Sequence, residues 1–174
     1  MTAQISDTFI FKGDEYSLIG MTSGDLASPE QFGMEPEMIH TACYRGFYAT
    51  YELTEKALYL RKLSLREKNE NYLPIGGIEP EQEEFQATYH GLSVLVPFTG
   101  KIRLAKDFIE ELYIHMGYQK PTAFKTVLDM TLKGPSSFRV ERNIDNDPPR
   151  SWSPVGMWAG RLPTCPHVHG TVFR

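Results

Sequence analysis

The sequence predicts a mainly β protein, either an antiparallel curled sheet or a small β-barrel of about six or seven strands, with one helix near residues 106–116. Short apolar runs are broken by turn residues, which is typical of antiparallel strands. One of these runs changes the phase of its alternation, as a bulged and curved strand does. A further segment repeats its apolar residues at helical spacing. An α+β arrangement is the alternative.

Two hairpins begin the predicted sheet. Residues 9–11 and 16–21 are apolar runs separated by a short polar turn. Residues 44–53 and 58–65 are longer, rich in aromatic residues and leucine, and flank a polar loop of hairpin length. Each pair is expected to form antiparallel neighbours.

The second arm of the second hairpin carries the phase change. Leu58 and Leu60 share one face of an extended chain, whereas Leu63 and Leu65 share the opposite parity. One extra residue near Arg61 would return all four leucines to the same face, because side chains alternate along a strand. We therefore expect a bulge here and a curled sheet.

Further strands complete the predicted sheet. Residues 92–98 and 101–104 surround a predicted tight turn at Thr99 and Gly100, and residues 124–132 alternate, with Phe124, Thr126, Leu128, Met130 and Leu132 on one face. A strand is also expected after Gln86.

The segment at 106–116 interrupts this pattern. A helical stripe at spacings of three and four is formed by Ile102, Ala105, Ile109, Leu112 and Met116. Gly117 would cap such a helix at its carboxyl end, and Pro121 would stop it. The same segment also alternates as a strand would, with Glu111, Tyr113 and His115 on one face, so a strand stays open as the alternative.

Composition divides the 174 residues into two parts. Residues 1–142 are expected to form a single β-rich domain, because the chain has the length of one domain and 41% of it is hydrophobic. Residues 143–174 are rich in proline and lack apolar periodicity. We expect an irregular tail there, whose two tryptophans could dock on the domain; an undocked tail is the alternative.

Charge and composition narrow the partners. The formal net charge is -4, which argues against nucleic acid as the main partner. No apolar run is long enough for a membrane span, and the first residues lack the pattern of a signal peptide. With two cysteines, too few for a disulfide framework, the chain is expected in the cytoplasm. The oligomeric state is not predicted.

Three unusual strings carry a family resemblance. They are IRLAKDFIEELYIHMGYQKPTAFKTVLDMTL at 102–132, CYRGFYATYEL at 43–53 and LPIGG at 73–77. Through them the chain resembles a family of uncharacterised bacterial proteins, roughly from Asp7 to Leu132. The resemblance implies no activity and no catalytic residue. Relatives continue with a short turn and another strand, from which Gly134 and the proline-rich tail depart.

An acidic run offers the first candidate binding site. Four glutamates lie within the sequence EPEQEE, just before the strand expected after Gln86; they are Glu79, Glu81, Glu83 and Glu84. A carboxylate patch on a protruding loop steers and selects a basic partner. The simpler reading of the run is a solvated loop.

Two further candidate sites lie in the β-rich part. Arg45 and Arg61 flank the second hairpin and could hold an anionic ligand between them. If residues 106–116 form a strand, Glu111, Tyr113 and His115 would line the mouth of a barrel and could act as acid and base groups. The simpler interpretation of the two arginines is that their aliphatic stems cover apolar surface. The simpler interpretation of the other three residues is that they form the solvated face of an amphipathic element.

Cysteine and histidine give two weaker candidates. Cys165, His167 and His169 alternate near the C-terminus, so an extended chain would point all three toward one metal ion. His40 and Cys43 could form a nucleophilic pair, although residues three apart on a strand face opposite ways. No nucleotide-phosphate, nucleophile-elbow or zinc-protease motif is present, and we expect no cofactor.

These observations favour a non-catalytic cytoplasmic binding protein. Its partner would be a protein, in the manner of an immunity or inhibitor protein, or a small ligand in the mouth of the barrel. The alternative is a small enzyme with an acid/base site at Glu111, Tyr113 and His115.

Overall fold

The computed structural model describes residues 3–22, 26–55, 57–134 and 138–142. These residues form one open mixed sheet. Its ten described strands are β1 Thr8–Phe11, β2 Asp14–Met21, β3 Phe47–Leu53, β4 Leu58–Leu65, β5 Glu81–Gln82, β6 Ala87–Tyr89, β7 Val94–Leu95, β8 Gly100–Phe108, β9 Phe124–Leu132 and β10 Phe138–Arg142. Three short 3-10 helices lie at Pro29–Phe32, Glu110–Leu112 and Pro121–Ala123.

The strand order is β10-β9-β8-β2-β1-β3-β4-β6-β5, and β7 pairs with β4 beside this path. Every pairing is antiparallel except that of β1 with β3, which is parallel.

The mainly β prediction is confirmed. The closed barrel is wrong, because β10 and β5 are opposite edges of an open sheet. The count of six or seven strands is too low, since strands of two or three residues are too short to show alternation.

Both predicted hairpins form. Residues 12 and 13 make the first turn with positive φ angles of 53° and 85°, as a two-residue hairpin turn requires. In the second hairpin, β3 and β4 pair with a register shift at Thr50, where Arg61 is the extra residue between Leu60 and Lys62. The predicted bulge is confirmed, and it keeps Leu63 and Leu65 buried on the core side together with Leu60.

The predicted tight turn at Thr99 and Gly100 does not join two paired strands. β7 pairs with β4, whereas β8 pairs with β2 and β9. The strand at 124–132 is confirmed as β9.

The helix expected at 106–116 is wrong. β8 continues to Phe108, pairing Lys106 with Thr126 and Phe108 with Phe124 of β9. The charged side chains that would have paired along a helix bond across strands instead, since Lys106 reaches Asp14 at 2.9 Å and Asp107 accepts from Thr126 at 2.9 Å. Only Glu110–Leu112 forms a 3-10 turn. Helix-favouring local spacing is thus overridden by pairing with a neighbouring strand.

The main core lies on one face of the sheet and is built from Phe9, Phe11, Leu18, Tyr51, Leu60, Leu63, Leu104, Met130 and their neighbours. A smaller cluster lies apart from it, formed by Ile19, Ala105, Ala123, Phe124 and Val127. Ile19, Ala105 and Val127 have the opposite parity to the core residues of their strands, so both faces of β2, β8 and β9 are partly covered.

One close approach fixes the start of β3. Gly46 has a φ of 79°, and a Cβ atom there would lie 2.4 Å from the carbonyl oxygen of Glu37. Only glycine fits this position without displacing the backbone. None of the helices in the described ranges has the length and apolar character needed to cross a membrane. The tail predicted at 143–174 lies outside the described residues.

Candidate functional site

The acidic run predicted from the sequence forms a hairpin at the β5 edge of the sheet. Glu81 and Gln82 of β5 pair with Thr88 and Ala87 of β6, and residues 83–86 make the turn between them. We call residues 79–86 the acidic hairpin. Its four glutamates are all exposed.

Strand β6 attaches this hairpin firmly to the body of the protein. Tyr89 is fully buried, and its hydroxyl donates to the carbonyl oxygen of Leu73 at 2.7 Å. The hydroxyls of Thr88 and Ser64 are hydrogen-bonded at 3.0 Å in the interior. Burial, with smaller contributions from Glu79 and Tyr72, raises the pKa of Tyr89 to about 12. Tyr89 therefore stays neutral and acts as a structural anchor.

The turn of the acidic hairpin is held in one conformation by two hydrogen bonds. The backbone N–H of Glu83 donates to the carbonyl oxygen of Gln86 at 2.8 Å, and the Gln86 side chain donates to the Glu83 carboxylate at 2.8 Å. The Tyr48 hydroxyl reaches the same amide from β3. The turn is therefore ordered before any partner arrives.

Phe85 lies in this turn and is 60% exposed, the largest exposed fraction among the large hydrophobic side chains of the described residues. Sequence reasoning missed it, although one apolar residue between EE and Q in an otherwise polar run was a usable signal. A bulky aromatic ring in water, next to carboxylates, is the composition of an interface anchor with a charged rim.

The carboxylates of the acidic hairpin are not paired with lysine or arginine side chains of the described part of the chain. Within the described ranges, no lysine or arginine forms a salt bridge with any of the four glutamates. Glu81 lies 3.7 Å from Nε2 of His90. The hairpin therefore projects negative charge into solvent.

The two arginines predicted to hold an anion each have a carboxylate partner within the protein. Arg45 donates to both oxygens of the buried Asp7 and to the carbonyl oxygen of Phe47. Burial would lower the pKa of Arg45, but Asp7 raises it, and the net direction is upward. Arg61 donates to Glu52 at 2.7 Å. The structure therefore gives both arginines structural partners and does not assemble them as a ligand clamp.

Glu111, Tyr113 and His115 lie in and just after the 3-10 turn that follows β8, and all three are exposed. The Tyr113 and His115 rings meet edge to face at 5.0 Å, and Tyr113 also contacts Phe108. Because the sheet is open, these side chains do not line a barrel mouth. They lie on a solvent-exposed surface loop.

Cys43 is a buried structural thiol. Burial is the largest influence on it and raises its pKa, and its Sγ donates to the carbonyl oxygen of Phe47 at 3.4 Å. His40 uses its Nδ1 to accept from the backbone of Ala42 at 3.2 Å. The structure therefore leaves this thiol neutral and does not orient His40 as its base.

The metal-site residues predicted near the C-terminus, Cys165, His167 and His169, lie outside the described residues. Within the described part of the chain, no three His, Cys, Asp or Glu side chains come together as a metal site would require. No protein-family model, curated protein or solved structure matches this chain. Functional inference therefore depends on the geometry of its own surfaces.

Proposed function

We propose that this protein is a non-catalytic binding protein whose acidic hairpin recognises a basic surface of a protein partner. One observation carries the proposal: a hydrogen-bonded turn presents Phe85, 60% exposed, directly after Glu83 and Glu84, and no lysine or arginine of the described residues forms a salt bridge with either glutamate. The partner would offer an apolar pocket for the ring, surrounded by lysine or arginine. Inhibitor and immunity proteins work in this way, by covering a functional surface of their target.

Protection of the sheet edge does not explain this arrangement. Short strands and charged side chains at an edge prevent pairing with other chains, and the glutamates around β5 serve that purpose. An exposed phenylalanine opposes it, since apolar surface at an edge promotes aggregation. Phe85 therefore requires a reason of its own, and burial against a partner supplies one.

The hairpin is also favourable for binding in energetic terms. Because the turn is already held by hydrogen bonds, little conformational entropy would be lost when Phe85 is buried. The carboxylates would accelerate the encounter with a basic partner, an effect that acts over about 8 Å at physiological ionic strength.

Affinity capture with matched variants tests the proposal. Wild-type protein, the Glu79→Gln/Glu81→Gln/Glu83→Gln/Glu84→Gln variant and a control with the same charge change at the exposed Glu15, Glu30, Glu110 and Glu111 would be used on extracts of cells that naturally contain the protein. We expect one basic protein to be retained by the wild type and the control and to be lost from the hairpin variant.

The retained protein would then be purified and titrated at several salt concentrations. For the hairpin variant we expect binding at least about tenfold weaker than wild type and a flatter dependence on salt, because the screened charges are gone. Equal affinity of wild type and hairpin variant, or no selectively retained protein, would refute the proposal.

A further inference from the structure

A second surface lies near the opposite edge of the sheet, where β8, β9 and β10 run side by side. It is an open cleft of about 450 Å³, lined by Lys101, Thr131, Lys133, Phe138, Arg139 and Glu141. This volume suits a small molecule. We call it the cationic cleft, because it has three basic side chains and one carboxylate in a protein whose net charge is -4.

Strand register brings these side chains together. Lys101 pairs with Thr131, and Thr131 pairs with Arg139, so the three residues form a row across three strands. Lys133 follows Thr131 by two residues and shares its face, as Glu141 shares the face of Arg139. A hydroxyl thus lies between an ammonium and a guanidinium group, with a second ammonium group beside it.

The frame of the cleft is fixed by contacts on every strand. The Lys101 backbone exchanges two hydrogen bonds with Thr22, at 3.0 and 3.1 Å. The Phe138 ring packs edge-on against Phe11, 5.9 Å away, and reaches the main core. In the adjoining row, Arg103 binds Asp129 through two hydrogen bonds of 2.6 and 2.7 Å. The Asp129 carboxylate is therefore already held by a buried arginine.

We propose that the cationic cleft binds the phosphate group of a small phosphate monoester. A phosphate monoester carries a charge of about -1.5 to -2 near pH 7, which suits three cations opposed by one carboxylate. Arg139 supplies a planar fork for two phosphate oxygens, the lysines supply point charges, and Thr131 supplies a hydroxyl donor. A monocarboxylate, with its single negative charge, would neutralise only part of the positive charge of the cleft. Phe138 also borders the cleft, but its ring lies on the core side of the sheet, against Phe11.

This site is independent of the acidic hairpin. The hairpin ends the sheet at β5, and the cleft is formed by the three strands at the β10 end. It also uses no phosphate-binding sequence motif, because its residues come from separate strands. Failure of either proposal would leave the other intact.

Titration calorimetry on the full chain at low ionic strength tests the inference, with inorganic phosphate, phenyl phosphate and benzoate as probes. We expect saturable binding of both phosphates, and binding of benzoate about tenfold weaker because its charge is smaller. Absence of saturable phosphate binding in the millimolar range, or benzoate binding as tightly as phenyl phosphate, would overturn the proposal.

Three substitutions in the cleft and one control make the test specific. Lys101→Gln and Arg139→Gln should each weaken phosphate binding about tenfold, whereas Glu141→Gln should tighten it severalfold by removing the one carboxylate of the cleft. The gain from Glu141→Gln cannot come from a misfolded protein. Lys125→Gln is the control, since this exposed lysine lies on β9 about 20 Å along the strand from Thr131. Equal losses in Lys125→Gln and Arg139→Gln would overturn the proposal.

Discussion

Asp7 and Arg45 show how a single ion pair determines the start of this fold. The Asp7 carboxylate is buried, accepts two hydrogen bonds from Arg45 and accepts a third from the backbone N–H of Ala49 at 2.8 Å. It thereby ties the segment before β1 to β3. The charge of Arg45 balances that of Asp7 where water is scarce.

Removing the Asp7 charge that balances Arg45 should strongly destabilise the protein. We expect Asp7→Asn to reduce the free energy of unfolding by about 3–5 kcal/mol, since Arg45 would keep its charge without a counterion. Asp14→Asn, which breaks the exposed pair with Lys106, should cost much less, because water and salt screen that pair. Urea denaturation at pH 7 measures both, and similar losses in the two variants would contradict this account.

Glu67 is a second buried carboxylate, and it gives the stability a pH dependence. Burial alone would raise its pKa, but backbone N–H groups of Asn71, Asn69 and Glu35 donate to it, and the net pKa is lowered. A lowered pKa means that the ionised form stabilises the fold above the pKa of the unfolded chain, near 4.3. That stabilisation is lost as the pH falls through the pKa of the folded state.

Two variants, each with one glutamate replaced by glutamine, test whether Glu67 makes the stability depend on pH. Glu67→Gln should be about 1–3 kcal/mol less stable than wild type at pH 7, and the difference should narrow as the pH falls below about 4. The exposed Glu70→Gln in the same loop should show neither effect. Denaturation midpoints of wild type and both variants, measured from pH 7 to pH 3, provide the test. A stability difference between wild type and Glu67→Gln that stays constant with pH would contradict the prediction.

At the scale of elements, the bulge in β4 reconciles the leucine pattern with a single core. Arg61 and Lys62 together oppose Thr50, so Leu60 and Leu63 both face the interior. Without an extra residue, sequence positions of opposite parity could not share a face. From this half-buried position Arg61 also donates to Glu52 and Ser93.

Two deletions at this bulge should have opposite outcomes. Deleting Arg61 would convert the bulge to a regular strand and leave every leucine on its present face, so we expect cooperative unfolding with a loss of about 1–3 kcal/mol from the missing contacts. Deleting Thr50, the residue opposite, would turn one half of β3 over and expose side chains such as Tyr51. Each such side chain contributes roughly 1.5–3 kcal/mol. We expect no cooperative thermal transition in that variant, and one of wild-type sharpness would refute this interpretation.

The bulge and both hairpins could be predicted because their signals are local: alternation, a turn of defined length and a phase change. β8 was predicted as a strand only at 101–104. Its continuation to Phe108 was predicted as the start of a helix, since Ile102, Ala105 and Ile109 repeat at helical spacing and only pairing with β9 makes the segment extended. The same limit explains β5, which is two residues long and pairs with β6. Of the strand predicted at 92–98, only the two residues of β7 pair, with β4.

At the scale of the whole molecule, two clusters of opposite charge lie near opposite ends of the sheet. The acidic hairpin lies at the β5 edge, and the cationic cleft is formed at the β10 end. The first was visible in the sequence, because its glutamates are neighbours along the chain. The second was not, because Lys101, Thr131 and Arg139 are distant in sequence and become neighbours only through the register of three strands. Phe85 can be seen in the sequence as an apolar residue in a polar run, but its exposure depends on the turn that presents it.

We propose above that Phe85 and the glutamates of the acidic hairpin form a protein-binding site. The most direct measurement is the dissociation constant of the captured partner for Phe85→Ala, compared with Tyr113→Ala, which removes another exposed aromatic ring from a different loop. We expect Phe85→Ala to weaken binding by at least about tenfold, or 1.4 kcal/mol, with the protein's own stability unchanged, and Tyr113→Ala to bind within about twofold of wild type. Wild-type affinity in Phe85→Ala would contradict the claim.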